Sequence, residues 1–212
     1  MTISVMLVDD HAVVRSGYRR LLELEPDCLV VAECADGDAA WAVLQQRQAS
    51  QVDVVVLDLS MPGRSGFELL RRIAQRWPDV RTLVFSMHDS PALVLQAIKA
   101  GAAGFVTKSS QPELLVAALR RVAAGQVGVL SPDIAGVSGA TAAPAPHLAL
   151  SSREFQVLLG LVGGDTIDAV AERLFLSAKT VSNHQTQIRH KLGVSTGVEL
   201  LHYAKLHGIA MS

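Results

Sequence analysis

Five side chains scattered over the first half of this sequence could do one piece of chemistry together. They are the carboxylates of Asp9, Asp10 and Asp58, the hydroxyl of Ser86 and the ammonium of Lys108. Each stands at the end of a short apolar run, and together they suit transfer of a phosphoryl group to a carboxylate. A hard divalent cation takes oxygen ligands, commonly one or two carboxylates plus water. It neutralises charge on the moving group while a lysine and a hydroxyl hold the remaining oxygens. Taken singly, each residue has a plainer role. Asp9 or Asp10 could cap the helix that follows, Asp58 could cap a turn, Ser86 could satisfy a backbone group, and Lys108 could be a solvated charge. Four separate segments each ending in a fitting group favour the joint role, and three carboxylates on one rim would repel one another without a cation between them.

Such a rim needs a frame. Runs rich in β-branched residues at 3–8, 28–34, 52–57, 82–86 and 104–107 read as strands. They are apolar nearly throughout, as strands covered on both faces are. Amphipathic segments at 11–23, 37–47, 66–77, 92–100 and 112–124 separate them. This alternation predicts an α/β fold, a doubly wound five-stranded parallel sheet over residues 1–125, because parallel neighbours need crossover helices. Ligands of such sheets bind beyond the carboxyl ends of the strands, where the strand order reverses. All five groups belong there.

The residues around them carry a resemblance. Leu7-Val8-Asp9-Asp10-His11, the run 55–63 (Val-Val-Leu-Asp-Leu-Ser-Met-Pro-Gly), Gly66 and Gly104-Phe105-Val106-Thr107-Lys108 resemble the motifs of response-regulator receiver domains, in order and at the matching strand ends. The resemblance implies a flavodoxin-like fold whose Asp58 accepts a phosphoryl group from a cognate histidine kinase. It also implies Mg2+ held by Asp10, Asp58 and the Ser60 carbonyl, with Asp9 acting through water, and phosphoryl oxygens held by Ser86 and Lys108. Ser86 and Phe105 would form the switch, the hydroxyl moving toward the new phosphate and the aromatic ring swinging inward behind it; Phe105 could otherwise be an ordinary core residue. Many receivers carry proline after the lysine. Here Ser109 follows, so the cis bond of a Lys-Pro pair is not implied.

Residues 126–148 break the rhythm, with Gly128, Pro132, Gly136, Gly139, Pro144 and Pro146 among Ala, Ser and Thr. That composition reads as a linker. Beyond it, 151–162, 167–175, 178–192 and 197–207 read as helices of a small all-α domain over 149–212. Ala171, Leu174, Val181 and Ile188 would join the second and third of these as helix-turn-helix, with Ser177 as N-cap. From 177 to 191 the chain carries Lys179, Arg189 and Lys191 and no acid, a local charge of +3 in a protein of net charge −1. Most short charge clusters are merely solvated helix faces. The runs 150–158 and 176–194, however, resemble the LuxR-type helix-turn-helix, and with the receiver ahead of it the chain is similar to the NarL/FixJ class. The resemblance implies that 178–192 enters the major groove of double-stranded DNA. Ser182, Asn183 and Thr186 would face bases, Lys179, Thr180 and Lys191 would contact phosphates, and the helix around 198–204 would carry a dimer contact. Asn suits bidentate pairing with adenine. The run Thr166-Ile167-Asp168-Ala169-Val170 departs from the polar or basic family pattern, which puts a phosphate contact from that helix in doubt.

Half of the 212 residues are apolar and 18% are charged, so a buried core is affordable and global disorder is excluded. Cys28 and Cys34, six apart on one strand, would sit about 20 Å apart, beyond disulfide reach. The apolar start is too short for a signal peptide and no run reaches membrane-span length, so a cytoplasmic protein with no membrane association is expected. The function expected is a two-component response regulator, not an enzyme, that dimerises when phosphorylated at Asp58 and binds specific DNA to regulate transcription. Two other readings use the same residues: a Mg2+-dependent phosphohydrolase with an aspartate nucleophile, and a phosphorylation-independent transcription factor with a vestigial receiver. The first commonly places a second acid two residues after the nucleophile, where this chain has Ser60. The second leaves a full set of acceptor-site residues without a use.

Overall fold

The computed structural model describes residues 2–46, 51–61, 66–88, 90–135, 146–207 and 209. Pro62 and Gly63 of the Asp58 motif, and much of the expected linker (136–145), lie outside these residues. The chain divides into two compact units, 1–89 with 97–139 and 140–212 with 90–96.

The first unit alternates strands and helices. The elements run β1 (Ile3–Val8), α1 (Ala12–Glu23), β2 (Cys28–Cys34), α2 (Gly37–Gln46), β3 (Val54–Leu57), α3 (Gly66–Arg76), β4 (Arg81–Ser86), α4 (Pro91–Lys99, of which 91–96 group with the second unit), β5 (Gly104–Thr107) and α5 (Pro112–Ala123). With β6 (Val129–Leu130) added at one edge, the strands pair in parallel in the order β2-β1-β3-β4-β5-β6. From β1 the chain steps outward to β2 and then back across to β3, so the order reverses between β1 and β3. This is the switch point where open α/β sheets hold their ligands. Val5, Leu7, Val54, Val56, Leu83 and Phe85 form the buried middle of the sheet, with Leu115, Leu119 and Val122 of α5 packed on it. Removing this much apolar surface from water is the main stabilising contribution.

Two expectations need correction. The sheet has six strands, not five, and part of the segment read as linker is ordered structure. β6 (Val129–Leu130) pairs Gly104 with Val129 and Phe105 with Leu130, and α6 (Pro132–Ala135) follows it. Two residues are too few to show a strand period. Their pairing depends on a neighbour far away in sequence. Gly104 permits it, because a Cβ there would stand 2.7 Å from the Val129 carbonyl oxygen. The strand expected at 52–57 starts at Val54, since Asp53 exchanges bonds with Ser4: its N–H donates to the Ser4 carbonyl at 2.9 Å and its carboxylate accepts the Ser4 N–H at 2.7 Å. Cys28 and Cys34 are buried thiols at opposite ends of β2.

The second unit is helical, with a 3-10 turn (Pro146–Ala149), then α7 (Ser152–Val162), α8 (Ile167–Leu174), α9 (Ala178–Leu192) and α10 (Gly197–Leu206). Side chains start each helix. Ser151 and Glu154 form a reciprocal capping box on α7, and Thr166, Ser177 and Thr196 accept from the backbone at the heads of α8, α9 and α10. Left-handed residues end the middle pair, Phe175 (φ 52) after α8 and Gly193 (φ 68) after α9. Ala171, Leu174, Val181 and Ile188 are buried, as the helix-turn-helix pattern requires. No helix among the described residues is long and apolar enough to cross a membrane.

Candidate functional site

Asp9 follows β1 and Asp58 follows β3, so the backbone alone places both acids at the switch point. Asp58 N–H donates to the Val8 carbonyl at 2.9 Å, and Asp9 N–H to the Cys34 carbonyl at 3.1 Å. These bonds extend the ladder one step past the strands and fix the two side chains on the rim. Asp58 is 2% exposed and Asp9 6%. Lys108, one residue past β5, reaches across to both: Nζ lies 2.6 Å from Asp9 Oδ2 and 2.6 Å from Asp58 Oδ2. Burial disfavours the ammonium, but the Asp58 charge and the hydrogen bonds to Asp58 and Asp9 outweigh it, so the lysine pKa is raised. The cation is held firmly at neutral pH.

The remaining groups complete the rim. Ser86, fully buried at the end of β4, accepts the His88 N–H on Oγ at 3.2 Å, and its carbonyl accepts the Lys108 N–H at 2.8 Å. Asp58 Oδ1 accepts the Ser60 N–H at 2.9 Å. Asp9 Oδ1 accepts the His11 N–H at 2.8 Å, and its carbonyl accepts Arg15 Nη1 at 2.5 Å. α3 starts against this loop so tightly that a Cβ on Gly66 would stand 2.5 Å from the Asp58 carbonyl oxygen. Phe105 is completely buried in β5, next to the Thr107-Lys108-Ser109 turn. Thr107 Oγ1 meets the Ser109 hydroxyl and accepts the Ser109 N–H at 2.9 Å, a local turn where many receivers use proline. Among the described residues no peptide bond is cis.

The donor set fits a divalent cation. Ligand atoms of Asp9, Asp10, His11 and Asp58 lie within 4.8 Å of one another, and Asp10 Oδ1 is buried with no hydrogen-bond partner. A carboxylate oxygen left unsatisfied beside two more carboxylates is stabilised by a metal ion. His11 was not among the residues singled out from sequence; only its adjacency to the double acid pointed to it.

On α9, Lys179, Ser182, Asn183 and Thr186 recur at the three- and four-residue spacing of one helix face. Lys179, Asn183 and Thr186 are exposed and Ser182 is half-buried. The two hydroxyls bond within the helix, Ser182 to the Ala178 carbonyl at 3.0 Å and Thr186 to the Ser182 carbonyl at 3.1 Å. Thr180 Oγ1 lies 2.8 Å from Ser177 Oγ at the cap. Lys191 stands apart. Its Nζ donates to both oxygens of Glu154, at 2.8 and 2.7 Å, and Glu154 is 3% exposed. Burial opposes ionisation of that carboxyl, yet the bonds from Lys191 and from Ser151 hold its pKa below the usual value. Sequence reasoning missed this role of Glu154, although Ser151-x-x-Glu154 is the sequence signature of a capping box.

A parallel sheet with an acid pocket at its switch point, together with a helix-turn-helix unit, defines a class of signal-driven DNA regulators, and comparison with known proteins agrees. Residues 5–120 match the response regulator receiver domain, and residues 148–204 match the bacterial regulatory proteins of the luxR family. The chain is 46% identical over 200 residues to the transcriptional regulatory protein UhpA of Salmonella typhimurium, covering 94% of this chain and 96% of that one. It is 37% identical over 213 residues to the response regulator UvrY of Escherichia coli O6:H1, covering 98% and 95%. Among solved structures it resembles RcsB from Salmonella enterica serovar Typhimurium bound to promoter rprA in the presence of phosphomimetic BeF3−, with TM-score 0.71 and 27% identity over 97% of this chain and 99% of that one. The chain belongs to the NarL/FixJ class of two-component response regulators, with a receiver and a LuxR-type DNA-binding domain.

Proposed function

We propose that Asp58 is the phosphoacceptor and that its modification controls dimerisation and DNA binding. The observation that carries this is the Lys108 ammonium placed 2.6 Å from Asp58 Oδ2 on a rim that also holds Asp9 and Ser86. A phosphohistidine of a cognate kinase donates: one Asp58 oxygen forms the new P–O bond as the P–N bond to histidine breaks. Lys108 and Ser86 hold the phosphoryl oxygens. Asp10, Asp58 and the Ser60 carbonyl would hold Mg2+, with Asp9 acting through water, and the bound ion would neutralise charge on the transferring group. Ser60 stands where a hydrolase of this chemistry keeps a second acid, which disfavours turnover of phosphate esters. Residues 1–125 with β6 and α6 form the receiver, the rest of 126–148 leads onward and 149–212 bind DNA.

The output starts at β5. Phe105 pairs with Leu130, the Ser131 N–H donates to the Phe105 carbonyl at 3.1 Å, and Ser110 Oγ bonds both oxygens of Asp133 at 3.1 and 2.9 Å. A shift of the Ser86 and Phe105 switch therefore pulls directly on β6 and α6, the segment that leaves the receiver. In the second unit Ser182, Asn183 and Thr186 read bases while Lys179 and Thr180 touch phosphates. Lys191 adds a phosphate contact only by leaving Glu154. RcsB has been solved on DNA in several forms, and the corresponding partner here is double-stranded promoter DNA. Exposed Val198 and Leu201 on α10 form the contact between two DNA-binding domains, and the protein acts in the cytoplasm. Incubation with acetyl phosphate and Mg2+ tests the acceptor: one phosphoryl group per chain is expected on the native protein and none on Asp58→Ala. Undiminished labelling of the variant would overturn the assignment.

A further inference from the structure

The acid pocket contains a nitrogen that phosphoryl transfer leaves unused. His11 is the N-cap of α1, yet its side chain makes no capping hydrogen bond. Its ring turns to the acids instead. Nδ1 stands 2.9 Å from Asp10 Oδ1 and 3.4 Å from Asp9 Oδ1. Asp10 Oδ1 is buried, and His11 Nδ1 is the side-chain nitrogen placed against it. Neighbouring ligand atoms on one ion, each bound at about 2.1 Å, stand about 3 Å apart, which is the spacing of this pair. One ligand atom from each of Asp9, Asp10, His11 and Asp58 falls within 4.8 Å of the others. Opposite ligands on a first-row transition ion, each bound at about 2.1–2.2 Å, are about 4.3 Å apart. The four groups can close on one ion by moving a few tenths of an ångström.

We propose that His11 is an additional protein ligand of this pocket, an imidazole that makes it favour a borderline first-row transition cation such as Mn2+ or Co2+ over Mg2+. The proposal rests on the pocket being a cation site at all. Mg2+ keeps oxygen ligands and gives up water reluctantly, so a nearby imidazole adds little to its binding. Affinity for nitrogen ligands rises along the first-row series, and imidazole suits those ions well. The His11 side chain is 64% exposed. Its nitrogen therefore comes from the solvent side, where it competes only with water.

Calorimetric titration of the full-length chain with Co2+ and with Mg2+ tests this, on the native protein, His11→Ala and Asp10→Asn. The pocket's share of Co2+ binding is the part that Asp10→Asn removes and excess Mg2+ displaces, which separates it from other histidines of the chain. His11→Ala should weaken that share by about tenfold or more, the scale on which metal sites respond to loss of a ligating or orienting group, while Mg2+ affinity changes by less than about twofold. The exposed, non-capping side chain makes the variant safe to fold, and circular dichroism checks it. Equal Co2+ to Mg2+ preference in the native protein and His11→Ala would overturn the role of His11 and leave the Mg2+ reading standing. Absence of binding by either ion in the native pocket would overturn both.

Discussion

The acid pocket and the DNA-facing helix are built on opposite plans. The pocket gathers residues 9, 58, 86 and 108 from four strand ends, buries them, and holds two carboxylates on one lysine whose side chain is 4% exposed. The helix presents Lys179, Ser182, Asn183 and Thr186 from one continuous run, all but Ser182 exposed, with the Ser182 and Thr186 hydroxyls bonded to its own backbone. Phosphoryl transfer needs fixed charges in a place where water screens little; a groove reader needs accessible donors that exchange water for bases and phosphates. The difference suggests where each unit is fragile. The pocket should be sensitive to loss of one charge, the helix to loss of its support.

That contrast can be broken in several ways. The largest effect is expected from Lys108→Met, which leaves Asp9 and Asp58 buried without their cation. A destabilisation of about 3–5 kcal/mol is the usual scale for removing one member of a buried pair, and added Mg2+ should restore much of it. Chemical denaturation with and without the ion measures both.

Next comes His147 in the second unit. It is 5% exposed, with Nδ1 2.9 Å from the Tyr203 hydroxyl. Burial, then the nearby His207, push its pKa down from 6.5 to about 4. A histidine with a depressed folded pKa favours the neutral form, so its contribution is fully present above pH 6.5 and is lost as pH falls toward 4. The loss is about 3 kcal/mol. Thermal unfolding across that range should lose this slope in His147→Phe; an unchanged slope would locate the titration elsewhere.

Glu154→Gln should cost about 1–2 kcal/mol, discounted because Lys191 is 38% exposed. Its sharper reading is in DNA binding. If the pair holds α9 in place, affinity falls at every salt concentration with the salt slope unchanged. A slope that steepens by about one counterion would instead show Lys191 freed to reach phosphate. The smallest effect is Lys179→Ala, a slope reduced by about 0.9 with base preference intact.

Much of both sites was legible in the sequence. The strand ends carrying Asp9, Asp58, Ser86 and Lys108 follow from apolar runs stopping at polar groups, and α9 follows from Ser177 at its head and Gly193 at its end. What stayed hidden depends on distant partners. Val129 and Leu130 form a strand only because Gly104 lets them approach β5. Glu154 reads as a local cap, and its bond to Lys191, 37 residues away, belongs to the packing of α7 on α9. His11 reads as the end of a motif until the fold aims its ring at Asp10.

The most direct test is DNA affinity measured on the native chain and on Asp58→Ala, each before and after treatment with acetyl phosphate and Mg2+. Tighter binding after treatment is expected of the native chain alone, with the variant unresponsive. Equal affinities in all four samples, or equal tightening in both proteins, would contradict control of the helix by the acid pocket.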